Sequence, residues 1–126
     1  MQFETNEPIY LQISEWMMEN ILERVWKEGD KIPSIREMAV EVEVNPNTVV
    51  RSYNELQDRE VIHNQRGIGY FVSDGGYGKV QDIKKKDFIE RELPRVFKIM
   101  DLLGMDLDDV NNYYSDYKNG DTDENE

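Results

Sequence analysis

The sequence contains no cysteine and only one histidine among its 126 residues. Without thiols there is no disulfide framework, no thiolate metal site and no thiol nucleophile. A single imidazole leaves little for metal or acid–base chemistry, and the sequence offers no nucleophile–base pair and no phosphate-cradling loop. We therefore expect a protein that binds rather than one that catalyses, with no cofactor and no bound metal.

Positive charge and long apolar runs are also scarce. Lys and Arg number 15 against 27 Asp and Glu, so the formal net charge is −12. This balance disfavours nonspecific attraction to DNA or to anionic membranes. The apolar runs are far shorter than the roughly 20 residues that a membrane span needs, and the acidic start lacks the basic-then-apolar pattern of a secretory signal. We expect a soluble, cytoplasmic protein with no membrane partner.

Apolar residues recur at helical spacing in the first part of the chain. Residues 8–28 show this pattern, and Gly29 is the predicted end of the first helix. A second helix is predicted to begin at Ser34, because Ser34 and Glu37 form the S-x-x-E pattern of a capping box. An apolar stripe behind this cap supports the same helix independently.

A third helix follows after a connection of only a few residues. Asn45 is a preferred N-cap, and Pro46 suits the first helical position because the amide there has no partner within the helix. We predict this helix over about residues 46–57. Two capped helices separated by so short a connection are typical of a helix-turn-helix.

Two short strands are predicted after the third helix. They cover residues 61–65 and 70–73, and the segment between them, Arg66-Gly67-Ile68-Gly69, supplies glycines that permit a positive φ at the turn. Three helices followed by a β-hairpin describe a winged helix-turn-helix. The predicted fold class is therefore mainly α with a small β-hairpin.

Short polar side chains and arginines lie on the predicted helix-turn-helix and at the hairpin tip. Such groups suit the phosphates and base edges of DNA, and the start of the third helix is expected to add free backbone amides that favour a phosphate. In this motif the second helix of the pair enters a groove while the first crosses the phosphate backbone. The candidate DNA-binding residues are Ser34, Arg36, Asn45, Asn47, Thr48, Arg51 and Arg66, with Ser52 expected to be exposed beside Arg51.

Each candidate has an alternative role in the folded chain. Ser34 and Asn45 are fully accounted for as helix caps, and isolated arginines are commonly solvated surface charges. His63 fits a half-exposed strand residue better than a ligand. The acids at 106, 108 and 109 suit the dipole of a helix N-terminus and lack the spacing of a calcium loop.

A glycine-rich segment, residues 74–78, predicts a boundary between two parts of the chain. We assign residues 1–76 to a winged helix-turn-helix DNA-binding domain and residues 77–120 to a helical dimerisation segment. Residues 121–126 are polar and acidic and are predicted to be a disordered tail. The helical segment is too short to form a core of its own, so a partner chain is expected to cover its apolar side chains.

Two helices are predicted in the dimerisation segment. The first begins either near residue 80 or near residue 88, contains Pro94, which is expected to bend it or mark a new start, and ends at Gly104. Asp106 is predicted to cap the second, which covers about residues 107–117.

Three motifs together resemble the bacterial GntR family of transcriptional regulators. They are residues 31–39 (KIPSIREMA), 44–56 (VNPNTVVRSYNEL) and 66–72 (RGIGYFV), and they keep the order and spacing of that family over about residues 8–73. The VNPNTV string and the short C-terminal part look like the YtrA-type subfamily. The resemblance places the family's DNA-contacting positions on Ser34, Arg36, Asn45, Asn47, Thr48, Arg51, Arg66 and Gly67. This sequence departs from the family at three positions. Ile35 stands where the family commonly has an acidic residue, and Pro46 and Val50 stand where some relatives carry arginines that contact bases.

The resemblance implies a homodimer that binds double-stranded DNA at a two-fold symmetric operator, usually as a repressor. An unidentified small-molecule effector is possible in such a protein, at the dimer interface or in the groove between the C-terminal helices and the winged domain. The alternative hypothesis is a winged-helix module that has lost DNA binding and contacts a protein instead. DNA-binding assays with Arg51→Ala distinguish the two.

Overall fold

The computed structural model describes residues 1–124, and the chain forms two compact units, Met1–Lys84 and Lys85–Glu126. The division falls eight residues after the boundary predicted at residues 76 and 77. The reason is that Val80 and Ile83, on the helix that follows the glycine-rich segment, pack against the core of the first unit.

The first unit is built from four helices and one hairpin. Its antiparallel strands pair Ile62 with Val72 and Gln65 with Gly69. The elements are α1 (Ile9–Leu22), α2 (Ile35–Val42), α3 (Pro46–Asp58), β1 (Ile62–Gln65), β2 (Gly69–Val72) and α4 (Gly76–Asp87). The predicted order of three helices and a hairpin is confirmed, and α3 and the strands agree with their predicted bounds to within one residue.

The predicted end of α1 is wrong, because the helix ends at Leu22 and not near Gly29. The backbone turns left-handed at Arg24, with φ of 62°. The amide of Arg24 donates to the carbonyl of Ile21 at 3.1 Å, and the amide of Val25 donates to that of Asn20 at 2.9 Å. This is the hydrogen-bond pattern of a Schellman motif, formed here without the glycine that usually identifies it in a sequence.

The capping box at the start of α2 is confirmed. The Glu37 amide donates to the Ser34 hydroxyl at 3.1 Å, and the Ser34 amide donates to the Glu37 carboxylate at 3.0 Å. Hydrogen bonds from Ser34 hold the pKa of the Glu37 carboxyl below its usual value. At the other end of α2, Glu43 is left-handed with φ of 57°, which produces the tight turn into α3.

The core of the first unit lies between α1, α2, α3 and the hairpin, and α4 closes one side. Tyr53 of α3 is fully buried, packs edge-on against Tyr70 with ring centroids 4.8 Å apart, and donates its hydroxyl to the Pro33 carbonyl. Burial raises the pKa of the Tyr53 hydroxyl. At the edge of the core, Trp16 and Trp26 meet edge-on with centroids 5.8 Å apart. The other buried apolar residues include Ile13, Met17, Ile21, Met38, Val49, Leu56, Val61, Ile62, Val72 and Val80.

The hairpin turn depends on Gly67. The Ile68 amide donates to the Gln65 carbonyl at 2.9 Å, and Gly67 has φ of 79°, while Arg66 before it keeps a negative φ. These features define a type II turn, whose third position favours glycine. The turn projects Arg66 and Gly67 away from the unit, and both are exposed.

Helix α4 begins at Gly76, earlier than either predicted start near residue 80 or residue 88. Gly76 is buried, and a Cβ atom there would lie 2.9 Å from the carbonyl oxygen of Val61. Glycine is thus required at this position so that the start of α4 can pack closely against Val61, in the segment that joins α3 to β1. The glycine-rich composition predicts a break in regular structure at this position. The structure instead begins a helix there, because the close packing of Gly76 requires a residue without a side chain.

The second unit contains a π-helical turn and two helices. The turn covers Phe88–Glu92, followed by α5 (Leu93–Leu103) and α6 (Leu107–Glu124). The Leu93 amide donates to the carbonyl of Phe88, five residues earlier. A π turn widens the helix just before Pro94, which has no amide to donate and would crowd the preceding turn of a regular α-helix. The bend or new start predicted at Pro94 therefore corresponds to a π-to-α transition.

Helix α6 begins as predicted and ends later than predicted. Asp106 and Asp109 exchange amide-to-carboxylate hydrogen bonds, each 3.0 Å long, which cap its start. The helix continues to Glu124 rather than ending near Tyr117, so residues 121–124 are helical where a disordered tail was predicted; residues 125 and 126 lie outside the described part. Extending a formed helix avoids a new nucleation cost, and no proline interrupts this segment. None of the helices in residues 1–124 is both long and apolar enough to cross a bilayer.

Candidate nucleic-acid interface

The exposed side of α3 carries the polar residues predicted for DNA contact. Asn47 and Arg51 are exposed and Thr48 is half-buried, whereas Val49 and Tyr53 face the core. Residues three and four positions apart are neighbours on a helix surface, so these three polar side chains share one face. The structure therefore brings together the α3 part of the predicted site.

Ser52 does not belong to this face, which corrects the sequence-based expectation. It is fully buried, and its hydroxyl donates to the Tyr10 carbonyl of α1 at 2.7 Å. Ser52 stands one residue beyond Arg51, and this rotation of about 100° along a helix turns it toward α1. A small hydroxyl residue beside an exposed arginine gives no sequence signal that would separate the two environments.

The amides in the first turn of α3, which were predicted to be free, are already engaged by Asn45. Asn45 accepts the Asn47 amide on its side-chain oxygen at 2.8 Å and the Thr48 amide on its carbonyl at 2.9 Å, and Pro46 has no amide. A phosphate at this position would therefore be held by side chains and by the helix dipole.

The caps Ser34 and Asn45 are confirmed in their structural role. The side-chain oxygen of each accepts an amide of its own helix. In α2 the capping box uses the amides of Ser34 and Glu37, while those of Ile35 and Arg36 lie in the first turn, where no carbonyl of the same helix reaches them. The first turn of α2 thus has two backbone amides that its capping box does not use, next to the Arg36 side chain, while the Glu37 carboxylate lies at the same helix start.

Three arginines on three different elements point outward. Arg36 of α2, Arg51 of α3 and Arg66 at the hairpin tip are exposed, and none of them forms an ion pair with a carboxylate of residues 1–120. Arg59, at the far end of α3, differs, because its Nε lies 2.8 Å from the Glu55 carboxylate. In a chain with net charge −12, these three unneutralised cations are candidate anchors for an anionic ligand.

Tyr10 is a neighbour of the site that the sequence did not reveal. The guanidinium carbon of Arg51 lies 4.1 Å from the centroid of the Tyr10 ring. The available signal was weak, since Tyr10 is a large aromatic residue that lies outside the apolar stripe of α1. Spacing within α1 says nothing about which residue of α3 it meets.

The remaining polar candidates are accounted for by local contacts. The His63 ring stacks on Phe71 with centroids 5.8 Å apart, and its Nδ1 lies 3.2 Å from the Ser73 hydroxyl. Asp106 and Asp109 are engaged in capping α6. Among the side chains that the structure describes, those of residues 1–120, no three His, Asp or Glu form a group that could hold a metal ion.

Taken together, these elements define a winged helix-turn-helix. Helices α2 and α3 form the motif, the exposed polar face of α3 is the candidate recognition surface, and the β1–β2 hairpin is the wing. This is a class of DNA-binding domain in which the second helix enters the major groove.

Comparison with known families identifies the chain more closely. The family profile described as "Bacterial regulatory proteins, gntR family" matches residues 9–72. The chain belongs to this family. It is a transcriptional regulator with a DNA-binding winged helix, and the family's members are regulators rather than enzymes. The resemblance inferred from the three sequence motifs is confirmed.

The most informative relatives match along most of their length. The transcriptional regulator YhcF of Bacillus subtilis is 35% identical over 111 residues, which cover 86% of this chain and 88% of YhcF. The transcriptional repressor YtrA of the same organism is 39% identical over 87 residues, 65% of this chain and 67% of YtrA. A GntR-family regulator from Bacteroides thetaiotaomicron shares the fold with a TM-score of 0.75 at 37% identity, covering 90% of this chain and 98% of that one.

Proposed function

We propose that the chain is a homodimeric repressor in the cytoplasm that binds a two-fold symmetric operator through α3 and the wing. The observation that carries the DNA-contact assignment is the set of exposed arginines without ion-pair partners on α2, α3 and the hairpin tip. The repressor assignment is supported by YtrA, which is named a repressor. The proposed DNA-binding residues are Ser34, Arg36, Asn45, Asn47, Thr48, Arg51, Arg66 and Gly67.

The exposed apolar surface of the second unit supports the homodimer. Among residues 85–120, Met100 alone is buried, and large apolar side chains are left in solvent. Soluble monomers rarely expose so many neighbouring apolar groups, and a second copy of the same chain offers a self-complementary cover. The exposed side chains are Phe88, Ile89, Val96, Phe97, Ile99, Leu102, Leu103, Leu107, Tyr113, Tyr114 and Tyr117.

Two-fold symmetry fits the size of the recognition surface. One short helix contacts only a few base pairs, so a second copy increases both affinity and specificity. Dimeric helix-turn-helix proteins place their two recognition helices roughly 34 Å apart, one turn of DNA, or a multiple of that distance. We therefore expect an operator with two inverted half-sites.

Selection of bound duplexes from a random DNA pool tests the proposal directly. The wild-type protein is expected to enrich one inverted repeat, and the enriched duplex then serves as the probe in affinity measurements. Arg51→Ala is expected to weaken binding of this probe at least tenfold, since a charge-assisted contact to DNA contributes about 1–3 kcal/mol. Arg59→Ala is the matched control, because Arg59 is the C-cap residue of the same helix and is paired with Glu55.

Three results would contradict the DNA-contact assignment. They are the absence of any enriched sequence, an Arg51→Ala protein that binds as tightly as wild type, and an equal loss with Arg59→Ala. The first of these results would favour the alternative of a winged-helix module that contacts a protein.

Sedimentation velocity tests the homodimer. The wild-type protein is expected to sediment as a dimer, and Leu103→Asp is expected to produce monomers because it places a charge in the proposed apolar interface. Val40→Asp is the control, since Val40 is a comparably exposed apolar residue on α2 in the first unit. A monomeric wild-type protein would refute the homodimer while leaving the family assignment intact.

The proposed site for a small-molecule effector lies in the second unit. The second unit has an open depression of about 330 Å³ lined by Phe97, Met100, Met105 and Leu107, among others. The depression adjoins side chains that the proposed partner protomer would cover, so an apolar ligand there would depend on the dimer. Comparison of operator affinity with and without cell metabolite extracts provides the first test.

A further inference from the structure

The contact between Tyr10 and Arg51 joins α1 to the recognition helix. The guanidinium carbon of Arg51 is 4.1 Å from the ring centroid of Tyr10, which is within the range of a cation–π interaction. Tyr10 is half-buried and Arg51 is exposed. The ring therefore supports one side of the guanidinium group while the other side faces solvent.

Two hydroxyl groups fix the position of Tyr10. The carbonyl of Tyr10 accepts the Ser52 hydroxyl at 2.7 Å and the Ser14 hydroxyl at 3.0 Å, and both serines are buried. Ser52 is the residue immediately after Arg51 in α3. The first turn of α1 is thus tied to the turn of α3 that carries Arg51, so the ring is held in place relative to the arginine.

We propose that Tyr10 is a positioning residue for DNA binding, which keeps the Arg51 guanidinium on the recognition face through its aromatic ring. This inference rests on the proposed contact of Arg51 with DNA. A free arginine side chain has many rotamers, and ordering it on binding costs conformational entropy. The Tyr10 ring restricts those rotamers before DNA is bound, so part of that cost is already met in the free protein.

A double-mutant cycle on operator affinity tests this role. The proteins are wild type, Tyr10→Leu, Arg51→Ala and the double variant, and the probe is the duplex that wild type selects from a random pool. Tyr10→Leu is expected to weaken binding roughly two- to fivefold. In the Arg51→Ala background the same change is expected to have no effect, because no guanidinium remains to be positioned.

Two further variants separate positioning from other roles. Tyr10→Phe keeps the ring and is expected to restore most of the affinity lost in Tyr10→Leu. Tyr77→Leu is the matched control, since the Arg24 guanidinium lies over the Tyr77 ring at 3.9 Å in another part of the first unit. It is expected to leave operator affinity unchanged. Urea unfolding of every variant shows whether any of them changes binding through loss of fold.

The outcomes distinguish this inference from the proposed function. A wild-type protein that selects no DNA would overturn both. With wild-type binding intact, the positioning role is refuted by an unchanged or tighter affinity in Tyr10→Leu. It is equally refuted if the loss persists in the Arg51→Ala background, or if Tyr10→Phe binds as weakly as Tyr10→Leu, because the hydroxyl would then be the active group.

Discussion

At the scale of single residues, three helices of the first unit end at left-handed positions that are not glycine. They are Arg24 after α1, Glu43 after α2 and Glu60 after α3, with φ between 57° and 62°. This conformation costs an L-residue roughly 1–2 kcal/mol. The surrounding hydrogen bonds, such as the Val61 amide to the Leu56 carbonyl at 2.9 Å, hold the backbone there.

Replacing Glu43 with glycine is expected to stabilise the protein. Glu43→Gly relieves the left-handed strain, and after the greater unfolded-state entropy of glycine is subtracted the gain in unfolding free energy is about 0.5–1 kcal/mol. Urea unfolding measures this gain. Glu41→Gly, which is two residues earlier and inside α2, is expected to destabilise by up to about 1 kcal/mol. Equal losses at both positions would contradict the expectation.

The capping box makes a pH-dependent contribution. Hydrogen bonds from Ser34 lower the pKa of Glu37 below its ordinary value of 4.5. A carboxyl with a lowered pKa in the folded state contributes stability in full above the ordinary pKa and loses it as the pH falls through the lowered value. Wild type is thus expected to be more stable than Glu37→Gln at pH 7, and this advantage is expected to shrink in acid. Unfolding curves between pH 7 and pH 3 measure the difference in unfolding free energy between the two proteins. A difference that grows in acid would contradict this expectation.

At the scale of elements, those with local signals could be predicted from the sequence. The S-x-x-E box of α2, the Asn-Pro start of α3 and the glycine turn of the hairpin each depend on residues within a few positions of one another. The end of α1 is a local Schellman motif too, but it lacks the glycine that would have identified it in the sequence. The start of α4 depends instead on a distant contact. Gly76, for example, fits against the carbonyl of Val61, fifteen residues earlier in the chain.

The same distinction applies to the candidate interface. Asn47, Thr48 and Arg51 follow from helical spacing once α3 is located, and the structure places them on its outer side. The burial of Ser52 and the contact of Tyr10 with Arg51 are created by the packing of α1 against α3. Periodicity gives the face of a helix, but it does not identify the residue that another helix brings to that face.

Two glycines provide a matched test of element geometry. Gly67 occupies the turn position with φ of 79°, whereas Gly78 lies inside α4 with open space around its Cα. Gly67→Ala is expected to lower the unfolding free energy by about 1 kcal/mol and to weaken operator binding, because it strains the wing tip. Gly78→Ala is expected to raise the unfolding free energy by about 0.5–1 kcal/mol and to leave operator binding intact. Urea unfolding checks both, and stabilisation by Gly67→Ala would contradict the assigned turn.

At the scale of the whole molecule, an acidic protein binds a polyanion. A protein of net charge −12 can bind DNA only if its cations contact the DNA and its acidic side chains lie farther from the phosphates than the Debye length. That length is about 8 Å at physiological salt. Arg36, Arg51 and Arg66 are exposed cations on the proposed DNA side. Specific contacts, rather than overall attraction, must then supply most of the discrimination between sequences.

A modest salt dependence of operator binding follows. If three arginines in each protomer of a dimer neutralise phosphates, the slope of log K against log salt is expected to be about −5. Titration of affinity against salt concentration gives this slope directly. A slope of about −10 or steeper would mean that many more cations contact the backbone than these three arginines of each protomer.

The edge-on pair of Trp16 and Trp26 has a practical consequence for studying the molecule. These are the only two tryptophans in the chain, and both belong to the first unit. Selectively excited indole emission therefore reports on the DNA-binding unit alone, whereas far-ultraviolet circular dichroism reports on every helix. Denaturation curves recorded with the two probes will coincide if both units unfold together. They will separate if the C-terminal helices unfold first.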